Sequence, residues 1–126
     1  ELGSHIAAPC PHQNDCPLQS GDWCHFAVRV DRSKLHKILK GGDLGYEDEK
    51  FSYLVALREP PPEPPRFSRI LRHPRIEPKS ISLTHCTPEG IAPLVVRAHD
   101  KPAFRAARKA DWGARWTPPG TADTED

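Results

Sequence analysis

The sequence predicts a small α+β fold made of short strands, two short helices and long irregular segments. Alternating apolar residues mark several short strands, one segment carries apolar residues at helical spacing, and a proline is well placed at the first turn of a second helix. The chain also contains 15 prolines among 126 residues, which interrupt long regular elements. Because only 37% of the residues are hydrophobic, we expect a small core.

The first part of the chain, residues 1–58, is expected to place a proline-rich, cysteine-bearing loop among strands and one helix. Apolar alternation predicts the strands, and Gly41-Gly42 is typical of a helix end. The expected elements are a buried strand at 6–9, a loop at 10–24, a strand at 26–30, a helix at 33–40, an acidic turn at 47–49 and a central strand at 51–58.

Residues 59–65 are all proline or glutamate, which predicts an extended polyproline linker of about 20 Å, at roughly 3.1 Å per residue. Beyond it, residues 66–116 predict a β-rich extension. Its expected elements are strands at 67–71, 80–86 and 91–98, a turn at 87–90 and a helix at 103–110 that follows Pro102. Residues 117–126 have no apolar periodicity and are expected to form a disordered tail.

The charge is distributed unevenly along the chain. Residues 1–65 carry seven Lys or Arg against ten Asp or Glu, whereas residues 66–116 carry eleven against four, a net charge of +7. This basic region also contains Trp112 and Trp116, so it fits a surface that contacts phosphates and stacks on unpaired bases. A merely solvated surface fits as well, and tryptophans are more often packing anchors than RNA contacts.

The sequence contains no apolar run of the roughly 20 residues that span a bilayer, and its start lacks the features of a secretion signal. We therefore expect an intracellular protein without membrane contact. The absence of an initiator methionine suggests that the chain begins inside a larger protein.

The strongest functional signal is a set of four cysteines. Cys10, Cys16 and Cys24 follow the spacing C-x5-C-x7-C, and Cys86 comes 61 residues later, beyond the proline linker. Four thiolates suit either a four-iron four-sulfur cluster or tetrahedral zinc. The distant fourth cysteine and the two Cys-Pro steps favour the cluster over zinc.

Other interpretations of these cysteines stay open. They could form two disulfides, be unrelated buried thiols, or share a mixed zinc site with His12 or His25. The two histidines could instead donate hydrogen bonds to cluster sulfurs. If Cys86 does complete one metal site, that site joins the two parts of the chain across the proline linker.

Several sequence blocks together resemble a small-ribosomal-subunit methyltransferase-like family, which includes bacterial members and mitochondrial methyltransferase-like protein seventeen. The resemblance covers almost all of residues 5–116. It is carried by Ala8-Pro9-Cys10-Pro11-His12, Asp22-Trp23-Cys24-His25-Phe26, the segment 46–53, Arg69-Ile70-Leu71-Arg72-His73-Pro74, Leu83-Thr84-His85-Cys86-Thr87-Pro88-Glu89-Gly90 and the segment 107–113.

The resemblance implies a protein with a Rossmann-like methyltransferase domain, a four-iron four-sulfur cluster and a β-rich C-terminal extension. It implies that Cys10, Cys16, Cys24 and Cys86 are the cluster ligands, and that residues 1–58 supply the last strands of the methyltransferase sheet. It also implies partnership with the small ribosomal subunit and its rRNA, in the bacterial cytoplasm or the mitochondrial matrix.

The glycine-rich turn that receives S-adenosylmethionine in such domains is expected upstream of this chain, because Gly41, Gly42 and Gly45 follow a helix instead of joining a strand to a helix. The chain alone is therefore not expected to bind that cofactor or to methylate RNA. The complete protein could be an S-adenosylmethionine-dependent rRNA methyltransferase.

Overall fold

The computed structural model of the chain describes residues 3–119, which form eight strands and two helices. This mixture, with antiparallel pairing throughout, confirms the α+β class. In chain order the elements are β1 (His5–Ala8), β2 (Phe26–Asp31), α1 (Lys34–Lys40), β3 (Tyr46–Phe51), β4 (Val55–Leu57), β5 (Ser68–Ile76), β6 (Ser80–Thr87), β7 (Gly90–Arg97), α2 (Lys101–Lys109) and β8 (Arg115–Trp116).

The largest sheet has four antiparallel strands in the order β7-β6-β5-β8. The small antiparallel sheet predicted for the second part of the chain is therefore present, with a tight turn between β6 and β7. The two-residue strand β8 was not predicted. It returns after α2 and pairs with the start of β5, where Trp116 lies opposite Ser68.

One face of this sheet packs against α2. Side chains alternate across a strand, so Ile70, Ile81, Leu83 and Val96 share this face and form the main core with Trp116 and Ala107 of the helix. The helix begins after Asp100, whose carboxylate accepts a hydrogen bond from the Ala103 backbone N–H. Its arginines and lysines point to solvent, as an amphipathic surface helix requires.

The opposite face of the same sheet packs against the first part of the chain. Leu71 and Cys86 form a second small core with Phe26 of β2, and Cys24 and Trp112 pack beside it. Gly113 adopts a φ of +89°, and a Cβ atom there would lie 3.0 Å from the Phe26 ring. The glycine therefore allows both a turn and a close approach that another residue would obstruct.

Strand β5 contains a bulge in its middle. Leu71 pairs with Thr84 and Arg75 with Ser82, so β5 advances four residues while β6 advances two. Arg72 lies in the bulge with a φ of +69°, a left-handed conformation that is uncommon for a residue with a side chain. The bulge separates the part of β5 that faces the cysteine loop from its exposed end.

Strands β2 and β3 pair in antiparallel fashion, and α1 lies in the connection between them. The predicted acidic turn at 47–49 is wrong, because these residues lie within β3. The acidic side chains are tolerated in a strand because basic partners face them: Asp48 pairs with Arg29 at 2.9 Å, and Glu47 pairs with Arg32 at 3.3 Å and with Lys40.

The predicted central strand at 51–58 is reduced to the short strand β4, which pairs with β1 through exposed or half-exposed residues. Helix α1 forms as expected, with Ser33 as its N-cap and Gly41 in the left-handed conformation at its end. Its apolar face, however, is unburied within the described residues: Leu35, Ile38 and Leu39 are 63%, 76% and 73% exposed.

Residues 58–67 connect β4 to β5 without helix or strand. Neither described helix is long and apolar enough to cross a membrane. Of the tail predicted to be disordered, residues 120–126 lie outside the described part of the chain.

Candidate metal centre

The four cysteines come from two separate elements of the fold. Cys10, Cys16 and Cys24 belong to the loop between β1 and β2, whereas Cys86 lies near the end of β6. Cys86 is paired across the sheet with Arg69 on β5 and with Ile91 on β7. These three side chains form one row across the face that the loop covers.

All four cysteines line the same small cavity, of about 30 Å³, at the contact between the loop and the sheet. The remaining wall is almost entirely apolar. It consists of Pro9, Pro11, Pro17, Leu18, Leu71 and Ile91, with His12 and Arg69. Cys86 is buried, Cys10 and Cys24 are partly buried, and Cys16 is exposed, so one side of the site is open to solvent.

None of these four cysteines forms a disulfide bond. Among residues 3–119, no three Cys, His, Asp or Glu side chains have the spacing that would let one metal ion bind all of them.

Burial and mutual repulsion raise the pKa values of the Cys10, Cys24 and Cys86 thiols. The pKa of Cys86 rises to about 11, first because the thiol is buried and then because of Cys10, Cys24 and Cys16. The pKa values of Cys10 and Cys24 are raised for the same two reasons, and nearby arginines partly oppose the shift. A cation placed between these sulfurs would oppose both effects and favour the thiolate forms.

His12 provides an oriented hydrogen-bond donor to Cys86. The ring is buried, and its Nδ1 accepts a hydrogen bond from the Asn14 backbone N–H at 3.1 Å. In the neutral ring the proton then lies on Nε2, which is 3.6 Å from the Cys86 sulfur. The loop thus supplies three cysteines and, in addition, an N–H group directed at the sulfur of Cys86 on the sheet.

Arg69 joins the cysteine loop to the segment between α2 and β8. Its Nε donates a hydrogen bond to the Pro9 carbonyl at 3.0 Å, and Nη1 donates one to the Gly113 carbonyl at 3.1 Å. The residue is only 6% exposed, and this burial lowers the pKa of its guanidinium. Arg69 therefore places a fixed positive charge in the cavity wall while it holds the cysteine loop in place.

Two further contacts fix the ends of the loop. The Gln13 side chain donates to the Ile6 carbonyl and accepts from the Ile6 N–H, both at 2.7 Å, as a paired strand would. At the other end, Asp22 accepts a hydrogen bond from Arg72 Nη2 at 2.8 Å. The loop is held to β1 at one end and to β5 at the other.

The two histidines predicted near the site have different environments. His12 contacts Cys86, as described above, whereas His25 stacks on Trp23 and contacts the edge of Trp112. Of the tryptophans considered for RNA stacking, Trp116 is buried and acts as a packing residue, whereas Trp112 is partly buried beside the second core. Trp23, which sequence reasoning did not single out, is 49% exposed.

Comparison with known proteins identifies the family. The family model described as mitochondrial small ribosomal subunit Rsm22 matches residues 1–117. The human mitochondrial ribosome assembly protein METTL17 is 31% identical over 111 residues, which cover 86% of this chain and 23% of that protein. The chain thus spans about a quarter of the length of this relative. The relationship expected from the sequence blocks is confirmed: this chain belongs to the Rsm22 family.

Proposed function

We propose that this chain is the metal-binding C-terminal part of a small-ribosomal-subunit assembly factor, held together by a four-iron four-sulfur cluster on Cys10, Cys16, Cys24 and Cys86. The observation that carries this proposal is that cysteines from both sides of residues 59–65 line one cavity. The relationship to a mitochondrial protein named for ribosome assembly supports a place in the mitochondrial matrix, and the bacterial cytoplasm is the alternative location.

The donor set and its surroundings suit an iron-sulfur cluster. Four thiolates are the usual ligands of such a cluster, and its reduction potential depends on hydrogen bonds to sulfur and on solvent exposure. His12 would supply one such hydrogen bond, and the apolar wall would limit water access. Arg69 would offset part of the negative charge of the four thiolates.

Cys16 is the exposed member of the set and would complete the site from its solvent side. Zinc is the alternative occupant, because four thiolates also suit a tetrahedral ion.

Metal analysis after anaerobic purification tests this assignment. We expect iron and acid-labile sulfide in equal amounts, a brown colour and little zinc. A colourless protein with one zinc ion per chain would reject the cluster and support a structural zinc site. A protein with neither metal would reject both.

The second part of the proposal is that α2 binds ribosomal RNA. Within residues 3–119, none of its exposed basic side chains has a carboxylate within salt-bridge distance. These side chains are Lys101, Arg105, Arg108 and Lys109. Unneutralised cations along one helix suit contact with the phosphates of a nucleic-acid backbone.

Binding of the intact protein to small-subunit rRNA at several salt concentrations tests this role. Four phosphate contacts predict that log affinity falls with log salt concentration with a slope of about −3. The variant Arg105→Gln is expected to weaken binding and reduce the slope by about 1, while Lys34→Gln on the distant helix α1 serves as the control. Affinity that is independent of salt would reject the role.

We also propose that β1 and β4 complete the sheet of a preceding Rossmann-like methyltransferase domain. An isolated two-stranded sheet is marginally stable in water, and Val55 and Leu57 are 44% and 41% exposed. A strand of an adjoining sheet would pair with an open edge of this two-stranded sheet and stabilise it. Transfer of a labelled methyl group from S-adenosylmethionine to rRNA by the full-length protein would establish the enzymatic alternative.

A further inference from the structure

A second, larger cavity, of about 390 Å³, lies between the cysteine loop and the proline-rich connection. We call it the proline pocket. Its apolar lining includes Ala7 of β1, Leu57 of β4 and three prolines of residues 59–65, and its charged lining residues are Arg66, Arg115 and Glu63. Its volume falls within the range of about 300–1,000 Å³ that is usual for ligand sites.

The proline wall makes this pocket largely preformed. Proline fixes φ, so the segment loses little conformational freedom when a ligand binds against it. Residues 59–65 therefore do more than separate the two parts of the chain, because they also form one side of a binding-sized cavity.

The rim of the pocket carries positive charge that the described residues leave largely unneutralised. The Arg115 guanidinium lies 4.5 Å from the centre of the Phe67 ring, and within residues 3–119 it has no salt-bridge partner. Arg66 approaches Glu63 at 3.7 Å, but both side chains are 71% exposed, so this pair contributes little. An anionic group at the rim would find two guanidinium groups within reach.

We propose that the proline pocket receives one unpaired nucleotide of RNA. The base would lie against the prolines and Leu57, and its phosphate would contact Arg66 and Arg115. An apolar slot next to cations matches the two halves of a nucleotide, and RNA is commonly recognised through bases turned out of a stack. This inference rests on the proposed RNA binding and adds a base-sized site to the phosphate contacts of α2.

A short unstructured RNA that contains one 2-aminopurine tests the proposal with the intact, cluster-loaded protein. The fluorescence of this base rises when it leaves the stack of its neighbours. We expect such a rise on binding. Ala7→Leu, which fills the pocket without changing charge, is expected to abolish the rise and to weaken binding about tenfold.

Two further variants separate the pocket from folding and from general RNA affinity. Arg66→Gln changes an exposed side chain, so it is expected to fold normally and to weaken binding. Arg105→Gln on α2, outside the pocket, is expected to weaken binding while the fluorescence rise at saturating protein persists.

The possible outcomes distinguish this inference from the function on which it rests. If the protein binds no RNA, the proposed RNA-binding function fails, and the pocket assignment fails with it. If it binds RNA but Ala7→Leu and Arg66→Gln leave affinity and fluorescence unchanged, only the pocket assignment is overturned. If adenosine monophosphate occupies the pocket but RNA does not, the pocket serves free nucleotides, which also overturns the assignment.

Discussion

Replacing Arg69 with methionine is expected to loosen the cysteine loop from the sheet. The guanidinium is 6% exposed and donates hydrogen bonds to the carbonyls of Pro9 and Gly113, at 3.0 and 3.1 Å. Methionine keeps much of the volume and the apolar stem but donates no hydrogen bond. Two carbonyl oxygens on different segments would lose this partner at once.

The expected loss of stability follows from these two contacts. A hydrogen bond that involves a charged group contributes about 1.5–3 kcal/mol to stability. Methionine also removes the desolvation penalty of the buried charge, which offsets part of the loss. We therefore expect the free energy of unfolding to fall by about 2–4 kcal/mol. Lysine at this position should recover less than half of the loss, because its single ammonium group cannot span both carbonyls.

Urea denaturation of the metal-loaded chain under anaerobic conditions, followed by tryptophan fluorescence, measures this change. The matched control is Arg75→Met, a substitution on the same strand at a side chain that is 79% exposed and pairs with Glu77. We expect the control to change stability by less than about 0.5 kcal/mol. If Arg69→Met and Arg75→Met give equal stabilities, the structural role assigned to Arg69 is wrong.

Three further predictions concern the metal site and the hairpin. Cys86→Ser should expose residues 59–65 to protease cleavage, because the proposed metal site loses the ligand that joins the sheet to the loop; protection equal to the wild type would contradict this. His12→Phe should lower the reduction potential of the bound cluster by several tens of mV, because one N–H donor to sulfur is lost, and an unchanged potential in an EPR-monitored titration would contradict it. Lys40 and other partners lower the pKa of Glu47 from 4.5 to about 2, so this carboxylate stabilises the hairpin above pH 4.5 and loses that effect as the pH falls to about 2. Hydrogen exchange of β3 amides should report this loss of hairpin stability, and Glu47→Gln should make hairpin stability independent of pH in this range.

Elements set by local signals could be predicted from the sequence. Ser33 and Gly41 define α1, and the Thr87–Gly90 turn defines the hairpin of β6 and β7. The turn predicted at 47–49 is wrong, because these acidic residues are stable in a strand through cross-strand basic residues, and only the strand register reveals those partners. The sequence likewise gave no indication that β8 would return to pair with β5.

The candidate site was only partly predictable. The cysteine spacing indicated a shared metal centre, and the structure places all four around one cavity, although occupancy by a metal stays a prediction. The roles of Arg69 and of the proline segment were not foreseen, because they depend on which face of β5 the loop covers. Alternation along β5 and β6 puts Arg69 and Cys86 on one face, but this inference requires the strand register.

The bulge in β5 limits how the length of this strand can vary among natural or engineered relatives. It inserts two residues relative to β6, an even number, so side chains before and after it keep the same alternation. Loss or gain of a single residue there would reverse which side chains face the cysteine loop on one side of the bulge. Length variants that retain the metal site should therefore differ at this point by pairs of residues.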